Sequence, residues 1–115
     1  MLFRSKHCED AEQFYLQAIR LDPNYLDAIF NLAKLYANQQ RTEEAIKLYQ
    51  DLIHLEPGFG QARVNLSKLL IEEIRVEEAI GLLKEGVSLS PSDAVMWYSL
   101  GVARSEEHTS ELQSH

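Results

Sequence analysis

Hydrophobic residues recur every three to four positions along most of this chain, which is the spacing of one face of an α-helix. Two adjacent stretches show it most clearly: Ile29, Leu32, Ala33 and Tyr36, then Ala45, Leu48, Tyr49 and Leu52. A polar break around residues 38–42 separates them. The same pattern predicts helices near residues 9–21, 25–38, 42–55, 59–72, 76–89 and 93–103.

The prolines of the chain, Pro23, Pro57 and Pro91, are evenly spaced, so one fixed interval separates each from the next. Aligning the chain on them brings three segments into register: DAEQFYLQAIRLDP, EEAIKLYQDLIHLEP and EEAIGLLKEGVSLSP. Each proline is expected to end a helix, because it has no amide donor and its ring clashes with the preceding turn. Asn24, Gly58 and Ser92 or Asp93 then stand where the next helix needs an N-cap. A fixed period of this length predicts a helical repeat.

Small residues occupy corresponding places in the predicted helices. Ala33, Ser67 and Gly101 lie on the first helix of each unit, and Ala45 and Ala79 lie on the second. Short side chains let two antiparallel helices approach closely, so these positions are predicted to be the helix contacts.

This 34-residue unit resembles the tetratricopeptide repeat, whose pattern is W-x2-L-G-x2-Y, then A-x3-F, then P. The positions that carry the resemblance, in pattern order, are Ile29, Arg63 and Trp97; Leu32-Ala33, Leu66-Ser67 and Leu100-Gly101; Tyr36; Ala45 and Ala79; Tyr49; and Pro57 and Pro91. The departures are Arg63, expected to weaken one core position, and Gln40 and Ile74, where the turn often has glycine. Gly86 replaces a usual alanine and is expected to loosen its helix by about 1 kcal/mol.

The resemblance implies an all-α fold, a right-handed superhelical solenoid of antiparallel helix pairs. We predict a half repeat at 6–25, full repeats at 26–59 and 60–93, and a half repeat at 94–103. A helix without its partner leaves apolar surface bare, including the Trp97 and Leu100 side. Self-association through such uncapped ends is therefore expected.

Both ends of the chain have the character of translated sequencing adapter. Residues 104–108 can be encoded AGA TCG GAA GAG CAC, and the reverse complement of that string encodes residues 2–5 after a GTG start codon. We therefore expect residues 1–5 and 104–115 to be foreign to the natural protein.

In this family the first helices line a concave groove that binds peptides or proteins, so the resemblance implies a groove here. Its predicted lining is Asp27, Phe30, Asn31, Lys34, Asn38, Gln61, Val64, Asn65, Lys68, Glu72 and Tyr98. Phe30, Val64 and Tyr98 would form an apolar stripe, and Asn31 and Asn65 a ladder of amides that grips peptide backbone. The alternatives are that the asparagines serve local solvation and that the two lysines lie on a solvated face.

The composition of the chain disfavours some kinds of partner. Eighteen acidic against eleven basic residues give a formal charge of −7, which disfavours nucleic acid. Cys8 is the single cysteine, so it has no partner for an intrachain disulfide. The sequence shows no membrane-spanning run and no signal peptide, so no membrane partner is expected and a cytoplasmic location is the default.

No arrangement of residues typical of catalysis, of a metal site or of a cofactor site is apparent, so we expect neither enzyme activity nor a cofactor. Outside the expected foreign ends the histidines are His7 and His54. The leading interpretation is a protein-interaction module or scaffold. Two alternatives stay open: the non-catalytic repeat region of a larger enzyme such as a glycosyltransferase, and a self-stacking assembly element.

Overall fold

The computed structural model describes the backbone of residues 6–113 and the side chains of residues 9–107. Over that range the chain contains helices and turns, without a strand. The helices are α1 (Lys6–Leu21), α2 (Leu26–Asn38), α3 (Thr42–Leu55), α4 (Gly60–Glu72), α5 (Val76–Leu89) and α6 (Ala94–Gln113). The all-α prediction is therefore confirmed, and the interior helices end within one residue of their predicted limits. The expected foreign segment 1–5 lies outside the described residues.

Helix α6 is longer than predicted, because it continues to Gln113 instead of ending near residue 103. Residues 104–113 contain no proline or glycine, and several of them, such as Arg104, Glu107 and Leu112, favour helix. The Arg104 Nη1 atom donates to Glu107 Oε1 at 3.5 Å, one turn further along. The local preference of this segment is therefore helical, whatever its origin.

The helices form two compact units, which divide between Leu55 and Glu56. In the first unit α2 packs against both α1 and α3, and in the second unit α4, α5 and α6 contact one another. Each unit therefore holds one helix pair joined by a short turn and one helix from a neighbouring repeat. The boundary between the units precedes Glu56, a short distance before the predicted repeat boundary.

The small residues lie at the helix contacts in both complete pairs. Ala33 and Ala45 are fully buried in the first unit, and Ala79 is fully buried in the second. Ser67 is also buried, and its hydroxyl donates to the Val64 carbonyl at 2.7 Å. Gly101 does not follow the prediction: it is exposed, and a Cβ at its position would meet nothing within 4 Å.

The larger residues of the repeat pattern make up most of the two cores. The buried apolar members are Ile29, Leu32, Tyr36, Tyr49 and Leu66. Pro57 and Pro91 lie exposed in turns, and Leu100 is half-buried against the core of the second unit. Trp97 is 52 % exposed, in line with the expectation that this side of the last helix is partly bare.

The turns that join α2 to α3 and α4 to α5 share one backbone conformation. Gln40 and Ile74 have φ angles of 64° and 59°, in the left-handed region where glycine is usual. The amide of the following residue donates back to the preceding helix: Arg41 to the Tyr36 carbonyl at 2.9 Å, and Arg75 to the Leu70 carbonyl at 2.7 Å. This pattern satisfies carbonyls that the end of a helix leaves without an intrahelical donor.

The N-cap predictions are right for one helix and wrong for two. Asp93 caps α6, since its Oδ1 accepts from the amides of Val95 at 3.0 Å and Met96 at 3.3 Å. The cap positions of α2 and α4 are Tyr25 and Phe59, and neither forms a side-chain cap bond. Asn24 and Gly58 instead belong to the preceding turns, where their amides donate to the carboxylates of Asp22 and Glu56.

Gly86 has a packing role that the sequence did not predict. It is buried in α5, and a Cβ built on it would lie 2.6 Å from the sulfur of Met96 on α6. The missing side chain therefore provides space for Met96, which is itself buried. The gain in packing offsets the helix propensity that glycine lacks.

Candidate partner-binding faces

Two polar strips run along equivalent helices, one in each unit. The α2 strip consists of Asp27, Asn31, Lys34 and Asn38, and the α4 strip consists of Gln61, Asn65, Lys68 and Glu72. Alternating steps of four and three positions keep each strip on one helix face. The two asparagines at the second place of each strip are half-buried, and the other members are exposed. Each strip can therefore present side-chain amides and charges to a partner.

Phe30, beside the α2 strip, is held by contacts inside its own unit. Its ring meets Tyr49 edge-on, with centroids 6.1 Å apart and an angle of 63°. The Lys34 ammonium lies 5.3 Å from the centroid of the same ring, within cation–π range. Phe30 thus links the strip to the core and positions Lys34.

The predicted apolar stripe is not continuous. Val64 is buried with Met96 and Leu83 in the core of the second unit, because α6 packs against α4 there. Tyr98 is 74 % exposed. A partner can reach Tyr98 but not Val64, so Val64 acts as a core residue.

Arg63 occupies the tryptophan position of the repeat and is almost completely buried. Its Nε donates to the Pro57 carbonyl at 3.0 Å, and Nη1 donates to the Leu82 carbonyl at 3.1 Å. Its Nη2 pairs with the Glu85 carboxylate at 2.6 Å. Each of its three nitrogens therefore has an acceptor, and the side chain ties α5 to the turn before α4.

Trp97, at the same position of the next repeat, makes an equivalent bond. Its indole Nε1 donates to the Pro91 carbonyl at 2.7 Å. Arg63 and Trp97 thus both direct an N–H group at the carbonyl of the proline that precedes their helix. The first repeat has Ile29 at this position, and isoleucine has no side-chain donor.

Sequence reasoning missed a buried polar cluster in the first unit. Glu12 of α1 accepts from the Tyr36 hydroxyl at 3.1 Å and from Arg41 Nη1 at 3.1 Å. Arg41 also lies 3.9 Å above the Tyr36 ring and pairs with Glu44. A signal was present: Glu12 aligns with Ile46 of the next repeat, so a carboxylate stands at an apolar position.

Contacts of this kind shift the pKa of two side chains. Burial raises the pKa of the Tyr36 hydroxyl, and the hydrogen bond to the Glu12 carboxylate raises it further. In the second unit, the hydrogen bond from Arg75 lowers the pKa of Glu78. Arg75 and Glu78 repeat the pairing of Arg41 with Glu44. Both glutamates lie in the first turn of the second helix of a pair, where the helix dipole favours a carboxylate.

Family comparison decides the relationship. Two models, each of a tetratricopeptide repeat, match the chain over residues 14–47 and 39–101. The second match spans more than half of the 115 residues. The chain belongs to the tetratricopeptide-repeat family. Repeats of this kind stack helix pairs into arrays that present extended binding surfaces, which supports an interaction or scaffold role.

Solved structures of MamA proteins share this tetratricopeptide-repeat fold. A MamA double mutant from strain RS-1 is 22 % identical with a TM-score of 0.75, and the match covers 88 % of this chain and 57 % of that one. A structure of MamA from Desulfovibrio magneticus RS-1, from residue 41 to the end, is 21 % identical with a TM-score of 0.75. That match covers 92 % of this chain and 60 % of the MamA chain. A third MamA structure is 21 % identical with a TM-score of 0.73, and the match covers 88 % of this chain and 55 % of that one.

The chain therefore spans little more than half the length of these MamA structures, and the likeness shows the fold. None of the curated proteins compared with this tetratricopeptide-repeat chain matches it. Within the described residues no helix is long and apolar enough to cross a membrane. The same part of the chain contains no group of three or more His, Cys, Asp or Glu residues placed to hold a metal ion. His7 and Cys8 fall outside the described side chains.

Proposed function

We propose that the chain is an interaction module that binds extended peptide segments of partner proteins at its polar strips. The α2 strip of the first unit and the α4 strip of the second are each a site of their own. The observation that carries this proposal is the repetition of Asn31 as Asn65, each in the same place within its strip. An amide at this position can accept from a peptide N–H and donate to a peptide carbonyl. Such contacts bind backbone without requiring a particular side chain.

The charges of the strips bear on the kind of peptide. Lys34 lies over Phe30 at 5.3 Å, so part of its contact is made within the unit. Asp27 and Glu72 place a carboxylate at one end of each strip. With both signs present, neither strip has the cluster of positive charge that acidic-motif binding requires. The strips suit a peptide bound mainly through its backbone.

A phage-displayed peptide library tests the proposal. We expect the chain to enrich a set of peptides, and the double variant Asn31→Ala/Asn65→Ala to retain them at least tenfold less well. At each strip the variant removes an amide that can form two hydrogen bonds with a peptide, and two lost bonds of about 1 kcal/mol each correspond to a factor of this order. Equal retention by the double variant, or no enrichment by the original chain, contradicts the proposal.

The control is Gln13→Ala/Gln50→Ala. These amides are exposed, and they lie on α1 and α3, outside both strips. We expect this variant to retain the enriched peptides as the original chain does. An equal loss in both double variants shows that amide content, not the strips, governs binding.

One observation favours self-association as a second function. Val95, Trp97 and Tyr98 on α6 are each more than half exposed. Clustered large apolar side chains on one helix are typical of a contact surface between proteins. A second copy of the chain is one partner that such a surface fits.

A further inference from the structure

The first unit contains a pocket that no part of the proposed function uses. Its volume is about 300 Å³, and it lies between the start of α2 and the second half of α3. Pro23, Ile29, Leu48 and Asp51 are in its wall. None of these residues belongs to the α2 strip.

The corresponding place in the second unit is filled. A step of one repeat forward takes Ile29 to Arg63, and the Arg63 side chain is almost completely buried there. Its guanidinium bonds to the Pro57 carbonyl, the Leu82 carbonyl and the Glu85 carboxylate. The second unit therefore contains a site that holds an arginine side chain.

The acceptors of that site recur around the pocket of the first unit. A step of one repeat back takes Pro57 to Pro23, Leu82 to Leu48 and Glu85 to Asp51. All three of these earlier residues line the pocket. The first unit thus keeps two carbonyl positions and an acidic side chain, but the residue that would reach them is the shorter, apolar Ile29.

We propose that this pocket binds the side chain of an arginine from a partner peptide, with the guanidinium in the place that Arg63 takes in the second unit. The planar guanidinium has several N–H donors in a fixed arrangement, which suits a carboxylate and two carbonyls better than a lysine ammonium does. The net charge of −7 also favours a basic ligand. The pocket and the strips are different sites, so either can fail without the other.

A competing cation is present. Lys47 pairs with Asp51 at 2.7 Å, and both side chains are substantially exposed. The corresponding residue in the second unit is Gly81, so Glu85 has no such competitor there. An exposed pair of this kind is weak and screened by water, so an arginine that enters the pocket can displace Lys47.

The test is an NMR titration of the isotopically labelled chain with N-acetyl-arginine methylamide. We expect saturable shifts of the backbone amides of Asn24 and Asp51, with a dissociation constant in the millimolar range. The citrulline analogue has the same length but no charge, and it is expected to bind at least fivefold more weakly. The lysine analogue is also expected to bind more weakly, because it lacks the planar set of donors.

Two variants test whether the probe binds in the pocket. Asp51→Asn is expected to weaken binding about fivefold, the upper range for an exposed charge pair. Ile29→Arg supplies the guanidinium from the chain itself and is expected to abolish binding of the probe. If Ile29→Arg does not fold, Asp51→Asn carries the test, because its side chain is partly exposed and its loss leaves the core intact.

Asp27→Asn is the matched control, since it removes the same charge from the α2 strip. We expect it to leave the affinity for the arginine probe unchanged. The proposal is overturned if no saturable shifts occur, if the citrulline analogue binds equally well, or if Asp27→Asn weakens binding as much as Asp51→Asn does.

Discussion

Gln40 and Ile74 hold their backbone in the left-handed region, and side chains make that conformation costly. The cost is greater for Ile74, because its side chain is branched at Cβ. Ile74 is also 77 % exposed, so it recovers little free energy by burial. The turn is nevertheless formed, since its amides bond to the end of the preceding helix.

We therefore expect Ile74→Gly to raise the free energy of unfolding by about 1 kcal/mol, because glycine adopts this conformation without strain. Urea unfolding followed by circular dichroism measures the change. Gln40→Gly is the comparison, and it is expected to gain less because glutamine is not branched at Cβ. A loss of stability in Ile74→Gly would show that the exposed isoleucine contributes more than the strain costs.

The raised pKa of Tyr36 predicts a response to alkaline pH. Because the folded state holds this proton more tightly than the unfolded chain does, the stabilisation is complete below the ordinary tyrosine pKa of 10.0. It is lost as the pH rises through the higher pKa of the folded protein. Free energies of unfolding measured from pH 9 upward should therefore fall more steeply for the original chain than for Tyr36→Phe.

At neutral pH Tyr36→Phe should be less stable than the original chain by about 1 kcal/mol, because it loses the hydrogen bond to Glu12. The remaining tyrosines and the lysines are common to both proteins, so the difference between the two curves isolates Tyr36. Parallel curves above pH 10 would contradict the assignment.

Individual residues marked the limit of what the sequence could predict. The repeat pattern predicts a weak core position at Arg63, because it shows the charge but not the two carbonyls and the carboxylate that receive it. The helical period predicts an open stripe at Val64, because it gives the face of α4 but not the presence of α6 against it. Glu12 shows the same limit, since Tyr36 lies on another helix and Arg41 in the turn that follows it.

At the scale of elements, the helices followed closely from the sequence. A proline follows α1, α3 and α5 at the same distance, so the even spacing of the prolines predicts where these three helices end. The extent of α6 did not follow, because the predicted limit depends on the origin of residues 104–115 and not on their helix propensity. Contacts between elements were predictable where they depend on small residues, as at Ala33 and Ala45.

The contact of α5 with α6 predicts that the effect of Gly86→Ala on stability depends on Met96. Gly86→Ala should lower the free energy of unfolding by about 1 kcal/mol, because a Cβ there would lie 2.6 Å from the Met96 sulfur. In a Met96→Ala background the same substitution should stabilise the protein by about 1 kcal/mol, since alanine then contributes only its higher helix propensity.

Gly81→Ala is the control on the same helix, because a Cβ at Gly81 would meet nothing within 4 Å. It should stabilise the protein by about 1 kcal/mol in both backgrounds. Thermal or urea unfolding of the variants measures these differences. If Gly86→Ala stabilises the protein with Met96 in place, the methionine moves aside and the contact is not specific.

At the scale of the whole molecule, each unit has a helix with apolar side chains in solvent. Phe14 on α1 is 72 % exposed, and Tyr98 on α6 is 74 % exposed. The family pattern predicts such surfaces wherever a helix of one repeat has no neighbour packed on it. Which surface a second copy would use could not be inferred from the sequence, because both have the same apolar character.

We expect the chain to self-associate through α6, with a sedimentation coefficient that rises with protein concentration. Val95→Ser/Tyr98→Ser should reduce this dependence, because it removes two exposed apolar side chains from one helix face. Phe14→Ser is the comparison and should have a smaller effect. A larger effect of Phe14→Ser would move the contact to α1, and a concentration-independent coefficient for the original chain would exclude self-association.

The hydrogen bond of Trp97 to the turn before α6 has a practical consequence. It is the one tryptophan in the chain, and it belongs to the second unit. Its fluorescence therefore reports on that unit alone, whereas far-ultraviolet circular dichroism reports helices from both. Recording the two signals in one melting experiment would reveal whether the halves of the molecule lose their structure together or in turn.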